Sequence, residues 1–274
     1  MAQPTEPDVL AALSRYRARI AEANHRAMLA IIPQIEGADP KGPDYFASVE
    51  DEEGWPVEQV HYILGIDGTL PPIERPSDVL DKWDLIVQQA TLDGTWVAID
   101  PEWRAGMREI YRSAILEGLG HLECPTGEWA LPHDFQIIMQ HADSLVGHGW
   151  YRLRDISEQL IIWEGMSESY EQIQQNVMTG EDILDITSGL DDSRTYDIAG
   201  GWVCGHGNES GFYIVYSRPT WDKSRGWSWR YLVSQGQFGC EIYDDIVAVL
   251  DWYSDQNEPN ETDIEDAVRE ILDD

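Results

Sequence analysis

Histidine and cysteine side chains are the first candidates for chemistry, because imidazole nitrogens and thiolates are the usual ligands of zinc. His133 and His141 are eight residues apart on a predicted helix, so they share a face but stand about 12 Å apart along its axis. A shared metal needs ligands three or four residues apart, or convergence from another segment. His121–Cys124 and Cys204–His206 are isolated pairs. The spacing therefore predicts neither a metal centre nor a bound cofactor.

Carboxylates beside aromatic rings suggest a different chemistry, the cleavage of glycosidic bonds, in which two acids flank the bond. Glu164, Glu209 and Asp222 are the acids near aromatic residues, and the chain contains 12 Trp. With 51 Asp and Glu among 274 residues, such neighbours also arise by chance. A sugar-active enzyme that uses a Trp-rich acidic cleft is therefore an alternative and not the first expectation.

The glycine-rich stretch Gly205–Gly211 superficially resembles a phosphate-binding loop. It matches neither the dinucleotide pattern nor the P-loop pattern, since no Gly-Lys-Ser/Thr follows it. No serine lies in the Gly-x-Ser-x-Gly sequence of a nucleophile elbow. The stretch is better explained as a turn between two strands, and the sequence predicts a protein without catalytic residues.

The charge of the chain limits its partners. It has 18 Lys and Arg against 51 Asp and Glu, a formal charge of −33. Phosphate backbones and anionic membrane surfaces attract basic proteins, so neither nucleic acid nor membrane is an expected partner. A basic protein partner, or simply high solubility, fits this charge.

Cysteine usage and the amino terminus predict the compartment. Three cysteines are too few, and odd in number, for a disulfide framework. The first ten residues lack the basic and apolar regions of a secretory signal, and no apolar run approaches a membrane span. We expect a cytoplasmic or nuclear protein that is not secreted.

The densest structural signal lies in the last quarter of the chain. Gly211–Ser217 and Trp227–Ser234 are rich in β-branched and aromatic residues, which predicts two strands separated by the turn Arg218–Gly226. From Asp244 onward, apolar residues recur with the helical period, at Ile246, Val249, Leu250 and Tyr253. This region is therefore predicted to be strand, turn, strand and helix.

The rest of the chain is predicted to be mainly helical before residue 147. The apolar period indicates four helices: Asp8–Ile35, Asp78–Leu92, Asp100–Leu119 and Gln136–Val146. Pro33 is the expected end of the first, and Ser77 and Asp100 are the expected N-caps of the next two. Tyr151–Ile156 and Leu160–Trp163 are candidate strands. Residues 257–274 form an acidic tail that we expect to pack poorly.

A short motif and the order of the elements carry a resemblance to a known family. Leu131-Pro132-x-x-Phe135 precedes a helix and a glycine-rich turn, and Gly200-Gly201-Trp202 precedes the two strands and the last helix. Over residues 100–256 the chain resembles the Smi1/Knr4 domain of the SUKH superfamily, of the fungal type. It departs from that family at Val146–Gly149, where Asn-Gly is usual, and in the helix-rich residues 1–99.

The resemblance implies an α+β fold, with a central, mostly antiparallel sheet flanked by helices. Residues 1–99 would then be a helical accessory region and residues 257–274 a tail. The family is similar to immunity proteins in bacteria and to regulators of cell-wall synthesis or signalling in fungi. It has no shared catalytic set, so the resemblance implies an interaction module.

The sequence thus predicts a non-catalytic, intracellular regulatory protein that binds a protein partner, with an acidic immunity-type protein against a basic toxin as an alternative. Interface anchors are typically aromatic, and an acidic rim selects basic partners. Trp221, Trp227 and Tyr243 are the residues predicted to contact the partner. The partner's identity and the oligomeric state stay open.

Overall fold

The fold is a computed structural model, which describes residues 3–37, 60, 64, 73–98, 100–147, 169–187, 195–206, 210–235, 239–256 and 261–273. It belongs to the α+β class, as the sequence predicts, with helices and a five-stranded antiparallel sheet. The chain divides into two compact units. The first unit consists of Met1–Ser14, Trp96–Leu145 and Ile156–Trp252, and the second of Arg15–Thr95, Val146–Asp155 and Tyr253–Asp274.

The helices of the described residues are α1 (Glu6–Gly37), α2 (Asp78–Asp81), α3 (Trp83–Gln89), α4 (Pro101–Gly120), α5 (His133–His141), α6 (Tyr170–Gln175), α7 (Gly180–Ile186), α8 (Ile246–Gln256) and α9 (Glu261–Asp273). The strands are β1 (Thr95–Trp96), β2 (Ser144–Leu145), β3 (Val177–Thr179), β4 (Tyr196–His206), β5 (Ser210–Pro219), β6 (Ser228–Gln235) and β7 (Cys240–Tyr243). β1 pairs with β2 in a small separate sheet. None of the described helices is both long and apolar enough to cross a membrane.

The large sheet of the first unit has the order β3-β4-β5-β6-β7, and every neighbouring pair is antiparallel. Ile214 on β5 pairs with Trp202 on one side and with Tyr231 on the other. The two strands and the helix predicted around residues 211–253 are confirmed by β5, β6 and α8. Apolar residues recur every second position along the strands and with the helical period along α8, because these are the side chains that face the core.

Side chains alternate between the two faces of this sheet. One face carries a buried cluster formed by Ile183, Tyr213, Val215, Leu232 and Cys240. The opposite face packs the rings of Trp202 and Phe135, whose centroids are 5.7 Å apart, and Phe135 in turn contacts Tyr111 of α4. Both faces of the sheet are therefore involved in the core of the first unit.

Helix ends in the first unit follow local capping chemistry. The predicted N-cap Asp100 is confirmed: its carboxylate accepts hydrogen bonds from the backbone nitrogens of Glu102 (2.9 Å) and Trp103 (3.0 Å). Ser169 and Thr179 form capping boxes at the starts of α6 and α7. These caps satisfy backbone N–H groups that the first turn of a helix leaves without a partner.

The second unit has its own apolar core, built by α1, α3 and the carboxyl-terminal helix α9. Ile31, Ile32 and Ile35 of α1 are buried there, and Ile264 and Val268 of α9 pack against the same cluster. The expectation that residues 257–274 pack poorly is therefore wrong for α9. Its apolar residues, spaced four apart, make a stripe that the core covers.

Two predicted helix boundaries in the second unit are also wrong. Pro33 lies inside α1, which continues to Gly37, because the buried isoleucines on both sides of the proline hold the helix in place despite the lost hydrogen bond. The helix predicted from Asp78 to Leu92 is two helices, with Lys82 between them at φ −110°. The Ser77 side chain makes no capping bond.

Tyr16 forms a buried hydrogen-bonded junction in the second unit. Its hydroxyl donates to the Gly94 carbonyl (2.9 Å) and accepts from the Gly147 backbone nitrogen (3.1 Å). Burial, and next the neighbouring Tyr253, raises the pKa of the Tyr16 hydroxyl. Gly147 belongs to the segment Val146–Gly149, where the sequence departs from the Smi1/Knr4 pattern, and its positive φ of 60° suits glycine.

The candidate strands Tyr151–Ile156 and Leu160–Trp163 lie outside the described residues. The domain boundaries proposed from the sequence, after residues 99 and 256, stay predictions.

Candidate interaction surface

A row of aromatic rings runs along one face of the large sheet in the first unit. At its inner end, the fully buried Trp202 meets Trp229 edge to face at 5.3 Å between ring centroids. Trp229 contacts Tyr216 at 5.0 Å and Trp129 at 5.8 Å, and Tyr216 stacks against Trp227 at 5.9 Å. The last four rings are half-buried. We call these five residues the aromatic row.

Strand geometry explains why these rings share a face. Trp229 on β6 pairs directly with Tyr216 on β5, and Trp227 precedes Trp229 by two residues, which is the side-chain period of a strand. On the other side Tyr216 pairs with Gly200 of β4. A side chain at Gly200 would begin 2.8 Å from a methyl carbon of Leu122, so the glycine leaves room for the loop that carries Trp129.

Hydrogen bonds fix most of these rings in position. Three indole N–H groups donate to partners within the first unit: Trp202 to the Tyr111 hydroxyl (3.0 Å), Trp129 to the Leu122 carbonyl (3.1 Å) and Trp229 to the Ala130 carbonyl (2.7 Å). The Tyr216 hydroxyl lies 3.0 Å from the Thr126 hydroxyl. A surface whose side chains are already ordered loses less conformational entropy when a partner binds.

Trp227 forms the outer end of the aromatic row. Tyr216 stacks on its indole with only 21° between the ring planes, and the guanidinium carbon of Arg218 lies 4.8 Å from its ring centroid. Arg218 also donates to the Asp197 carboxylate at 2.8 Å. A sugar ring that stacked on the face of Trp227 beneath Arg218 would have to displace this guanidinium.

Trp221 lies on the turn between β5 and β6. It is 60% exposed, more than any other tryptophan that the structure describes. Its ring meets Tyr196 edge to face at 5.1 Å. Tyr196 is itself covered by the guanidinium of the buried Arg230, 5.1 Å from the ring centroid. Arg230 donates to the Ser217 carbonyl (2.6 Å) and to Asp244 (2.9 Å). The exposed ring of Trp221 therefore packs against Tyr196, and Tyr196 packs against the hydrogen-bonded guanidinium of Arg230.

Tyr243 has different surroundings from the other two predicted contact residues. Its ring is half-buried on β7 and lies 5.7 Å from Trp252 of α8. Its hydroxyl donates to the Glu241 carboxylate, and burial, followed by this hydrogen bond, raises the pKa of Tyr243. The structure therefore places Trp221 and Trp227 on one hairpin and Tyr243 against a helix. Their role in partner binding stays a prediction.

The charged groups around the hairpin differ from the expected acidic rim. Arg218 lies over Trp227, and the four cations of residues 218–230 pair with two aspartates: Arg218 and Lys223 with Asp197, and Arg225 and Arg230 with Asp244. Sequence reasoning treated the acidity of the chain as uniform and so missed this local reversal. The signal was present, because four of the 18 Lys and Arg lie between residues 218 and 230.

The histidines and cysteines of the described residues are scattered. His133 is exposed at the start of α5, His141 is half-buried at its end, and Cys204 is buried in β4. Across the part of the chain that the structure describes, no three His, Cys, Asp or Glu side chains are grouped so that they could hold a metal ion.

The acids considered for sugar chemistry are only partly described. Asp222 caps a short 3₁₀ turn, where its carboxylate accepts from the backbone nitrogen (3.2 Å) and the hydroxyl (2.5 Å) of Ser224. Glu164 and Glu209 lie outside the described residues. Asp222 is therefore occupied with holding the turn that carries Trp221.

Asp134 is a buried carboxylate whose importance sequence reasoning missed. It is the second variable residue of the Leu-Pro-x-x-Phe motif, and it accepts from the Tyr231 hydroxyl (2.9 Å) and from the backbone nitrogens of Ile246 (2.9 Å) and Phe135 (3.0 Å). Burial raises the pKa of Asp134, and these hydrogen bonds oppose the rise. The carboxylate ties α5 to β6 and to the start of α8.

Comparison with known proteins leaves the family open. No protein-family model, curated protein or solved structure matches the chain. Membership of the Smi1/Knr4 family therefore stays a prediction from the sequence.

Proposed function

We propose that the chain is a non-catalytic protein-interaction module, of the Smi1/Knr4 type, that regulates a protein partner. The observation that carries this proposal is the aromatic row, together with the exposed Trp221 on the adjoining turn. Tryptophan, tyrosine and arginine are the residue types that dominate binding energy at protein interfaces. Trp227, Tyr216 and Arg218 supply all three within one contact cluster.

The charge of the chain indicates the charge expected of its partner. A formal charge of −33 favours fast encounter with a protein of basic overall charge, and this attraction weakens as salt screens it. Regulation of a cellular partner is the main proposal. Neutralisation of a basic toxin by an acidic immunity-type protein uses the same surface, and it is distinguished by the partner itself. A partner that is a toxic enzyme, and that the pure chain inhibits, would favour neutralisation.

Affinity capture from extracts of the native cell tests the proposal. The bait is the full chain, and capture is compared at about 0.05 M and about 0.5 M salt, where the Debye length falls severalfold. We expect one partner that the wild type retains and that the double variant Trp221→Ala/Trp227→Ala retains about tenfold less. Trp103→Ala is the matched control, because Trp103 is exposed (43%) on α4 and belongs to neither the row nor the turn.

Two results of this capture would overturn the proposal. One is the recovery of no stable partner at either salt concentration. The other is a partner that binds the double variant as tightly as it binds Trp103→Ala.

A sugar-active enzyme is the second candidate, favoured by the exposed Trp221 beside Asp222. It predicts that the pure chain hydrolyses a glycan, and that Asp222→Asn abolishes the activity. If the wild type hydrolyses a glycan and no protein partner is captured, the sugar-active enzyme is the right proposal and the interaction module is wrong.

A further inference from the structure

The turn between β5 and β6 reverses the sign of the chain's charge. Residues 218–230 contain four cations, Arg218, Lys223, Arg225 and Arg230, and a single carboxylate, Asp222, so this segment has a net charge of +3 in a chain of −33. The same segment carries three of the 12 tryptophans. We call residues 218–230 the cationic hairpin.

Two aspartates from neighbouring strand ends reduce this charge without cancelling it. Asp197 lies 2.8 Å from Arg218 and 3.7 Å from Lys223, and Asp244 lies 2.9 Å from Arg230 and 3.4 Å from Arg225. Counted together with Asp222, three carboxylates among the described residues stand against the four cations, so one positive charge remains in that count. The pairs made by Arg218, Lys223 and Arg225 are partly exposed and contribute about 1 kcal/mol or less each, so a partner's carboxylates can replace them at little cost, whereas the pair of the buried Arg230 belongs to the fold.

The outermost side chains of the cationic hairpin are Trp221, which is 60% exposed, and Lys223, whose side chain is 61% exposed. Arg225 follows on the same turn, with its side chain 30% exposed. An apolar ring flanked by accessible cations needs two things from a surface that covers it. The ring needs an apolar pocket, and the cations need acceptors, because a cation buried without an anion is strongly disfavoured.

We infer that the cationic hairpin inserts Trp221 into an apolar pocket of the protein partner whose rim carries carboxylates. This inference rests on the proposed function and specifies the chemistry of its contact. The acidic remainder of the chain favours a partner that is basic overall, whereas the hairpin requires an acidic patch within it. Two regions of opposite sign fix the orientation of docking, because a rotated complex would place like charges together.

The first test uses defined peptides and the full chain. Two fluorescein-labelled 12-residue peptides share a central leucine cluster and differ only in flanking Glu or Gln. We expect the Glu peptide to bind at about 0.15 M salt and the Gln peptide to bind about fivefold more weakly, because only the former pairs with the cations. An acidic peptide that fails to bind this acidic protein, or that binds no better than its Gln counterpart, would overturn the inference.

Charge-reversal variants then locate the binding. Lys223→Glu/Arg225→Glu should weaken binding of the Glu peptide about fivefold or more. Trp221→Ala should weaken binding of both the Glu and the Gln peptide. The control Arg26→Glu/Arg269→Glu introduces the same charge change at side chains 54% and 66% exposed in the second unit, and should leave binding unchanged. Equal losses in both charge-reversal variants would contradict the inference. A milder variant, Lys223→Gln, controls for misfolding. Its urea denaturation midpoint should equal that of the wild type, and it should still weaken binding of the Glu peptide.

The two proposals fail in different ways. If capture of the native partner depends on Trp221 and Trp227 but Lys223→Glu/Arg225→Glu binds it normally, the carboxylate-rimmed pocket is wrong and the interaction module stands. If capture is independent of both tryptophans, the interaction module itself is wrong.

Discussion

Trp202 and Trp221 have the same side chain, and both belong to the first unit, but their surroundings differ. Trp202 is fully buried, its indole N–H is bonded to Tyr111, and its ring packs on Phe135 and Trp229. Trp221 is 60% exposed and makes one edge-to-face contact with Tyr196. The tryptophans of this chain therefore occupy two kinds of environment. The inner rings pack in the core of the first unit, and the outer rings lie at the surface that we propose binds a partner.

The largest expected effect is on the inner end of the row. Trp202→Ala should lower the free energy of unfolding by about 3–5 kcal/mol, because it removes a large buried ring, leaves a cavity and deletes the indole N–H that donates to the Tyr111 hydroxyl. Urea denaturation measures this loss. Trp221→Ala should change the same quantity by less than about 0.5 kcal/mol, since the ring is mostly in water. Similar losses in the two variants would remove the distinction between scaffold and surface.

Among the substitutions considered, the next largest loss of stability is expected at Gly201, the glycine beside Trp202. A Cβ atom at Gly201 would lie 2.2 Å from the Ile214 carbonyl oxygen of the neighbouring strand. Gly201→Ala should therefore cost about 1–3 kcal/mol, since the backbones of β4 and β5 must move apart.

Gly106→Ala is the matched substitution for Gly201→Ala. Gly106 lies within α4, and a Cβ atom there meets no other atom within 4 Å. Alanine should stabilise the protein by about 0.5–1 kcal/mol, through its higher helix propensity. Thermal or urea unfolding of Gly201→Ala and Gly106→Ala shows whether only the glycine at the inner end of the aromatic row is closely packed. A loss of stability in Gly106→Ala would contradict this.

A pH-dependent effect is expected at Asp134, which holds the inner face of the sheet to α5 and α8. Burial raises its pKa above the ordinary 3.8 in the folded state. The folded protein therefore binds this proton more tightly than the unfolded chain does, and stability falls as pH rises through the folded-state pKa. Asp134→Asn lacks this titration.

The measurement is the difference in unfolding free energy between the wild type and Asp134→Asn. This difference should decrease as pH rises from about 4, near the ordinary pKa of aspartate, and become constant above the raised value. A difference that instead grew with pH would show that hydrogen bonds to the carboxylate outweigh its burial.

A smaller effect than at Trp202 or Gly201 is expected at the outer end of the row. Arg218→Met keeps an apolar chain against Trp227 but removes the guanidinium, and should cost about 0.5–1 kcal/mol of stability. High salt should shrink the part of this difference that comes from the pair with Asp197. A loss comparable to that of Trp202→Ala would mean that the outer end also belongs to the scaffold.

The elements of the fold were largely predictable because their signals are local. The alternation within Gly211–Ser217, the helical period after Asp244 and the cap at Asp100 each depend on a few neighbouring residues, and the structure confirms all three. Pro33 shows the limit of such signals. The proline predicts the end of a helix, but packing of distant residues against Ile31, Ile32 and Ile35 keeps the helix intact.

The candidate surface was less predictable, because its contacts join residues far apart in the chain. Trp129 meets Tyr216 at 5.5 Å although 87 positions separate them, and no local pattern around Trp129 signals this. Trp227 and Trp229 are different, since their spacing of two on a predicted strand already places them on one face. The charge of the hairpin was also readable from the sequence. Only the structure shows which aspartates partly neutralise it.

Titration of the purified, captured partner against stability-matched variants tests the central claim most directly. Isothermal titration calorimetry would compare the wild type, Trp221→Ala/Trp227→Ala and Trp103→Ala, after urea denaturation has shown that all three remain folded. We predict that the double variant binds about tenfold or more weakly, and that Trp103→Ala binds like the wild type. Equal affinity of all three proteins for the partner would contradict the claim that the outer end of the aromatic row and its turn form the binding surface.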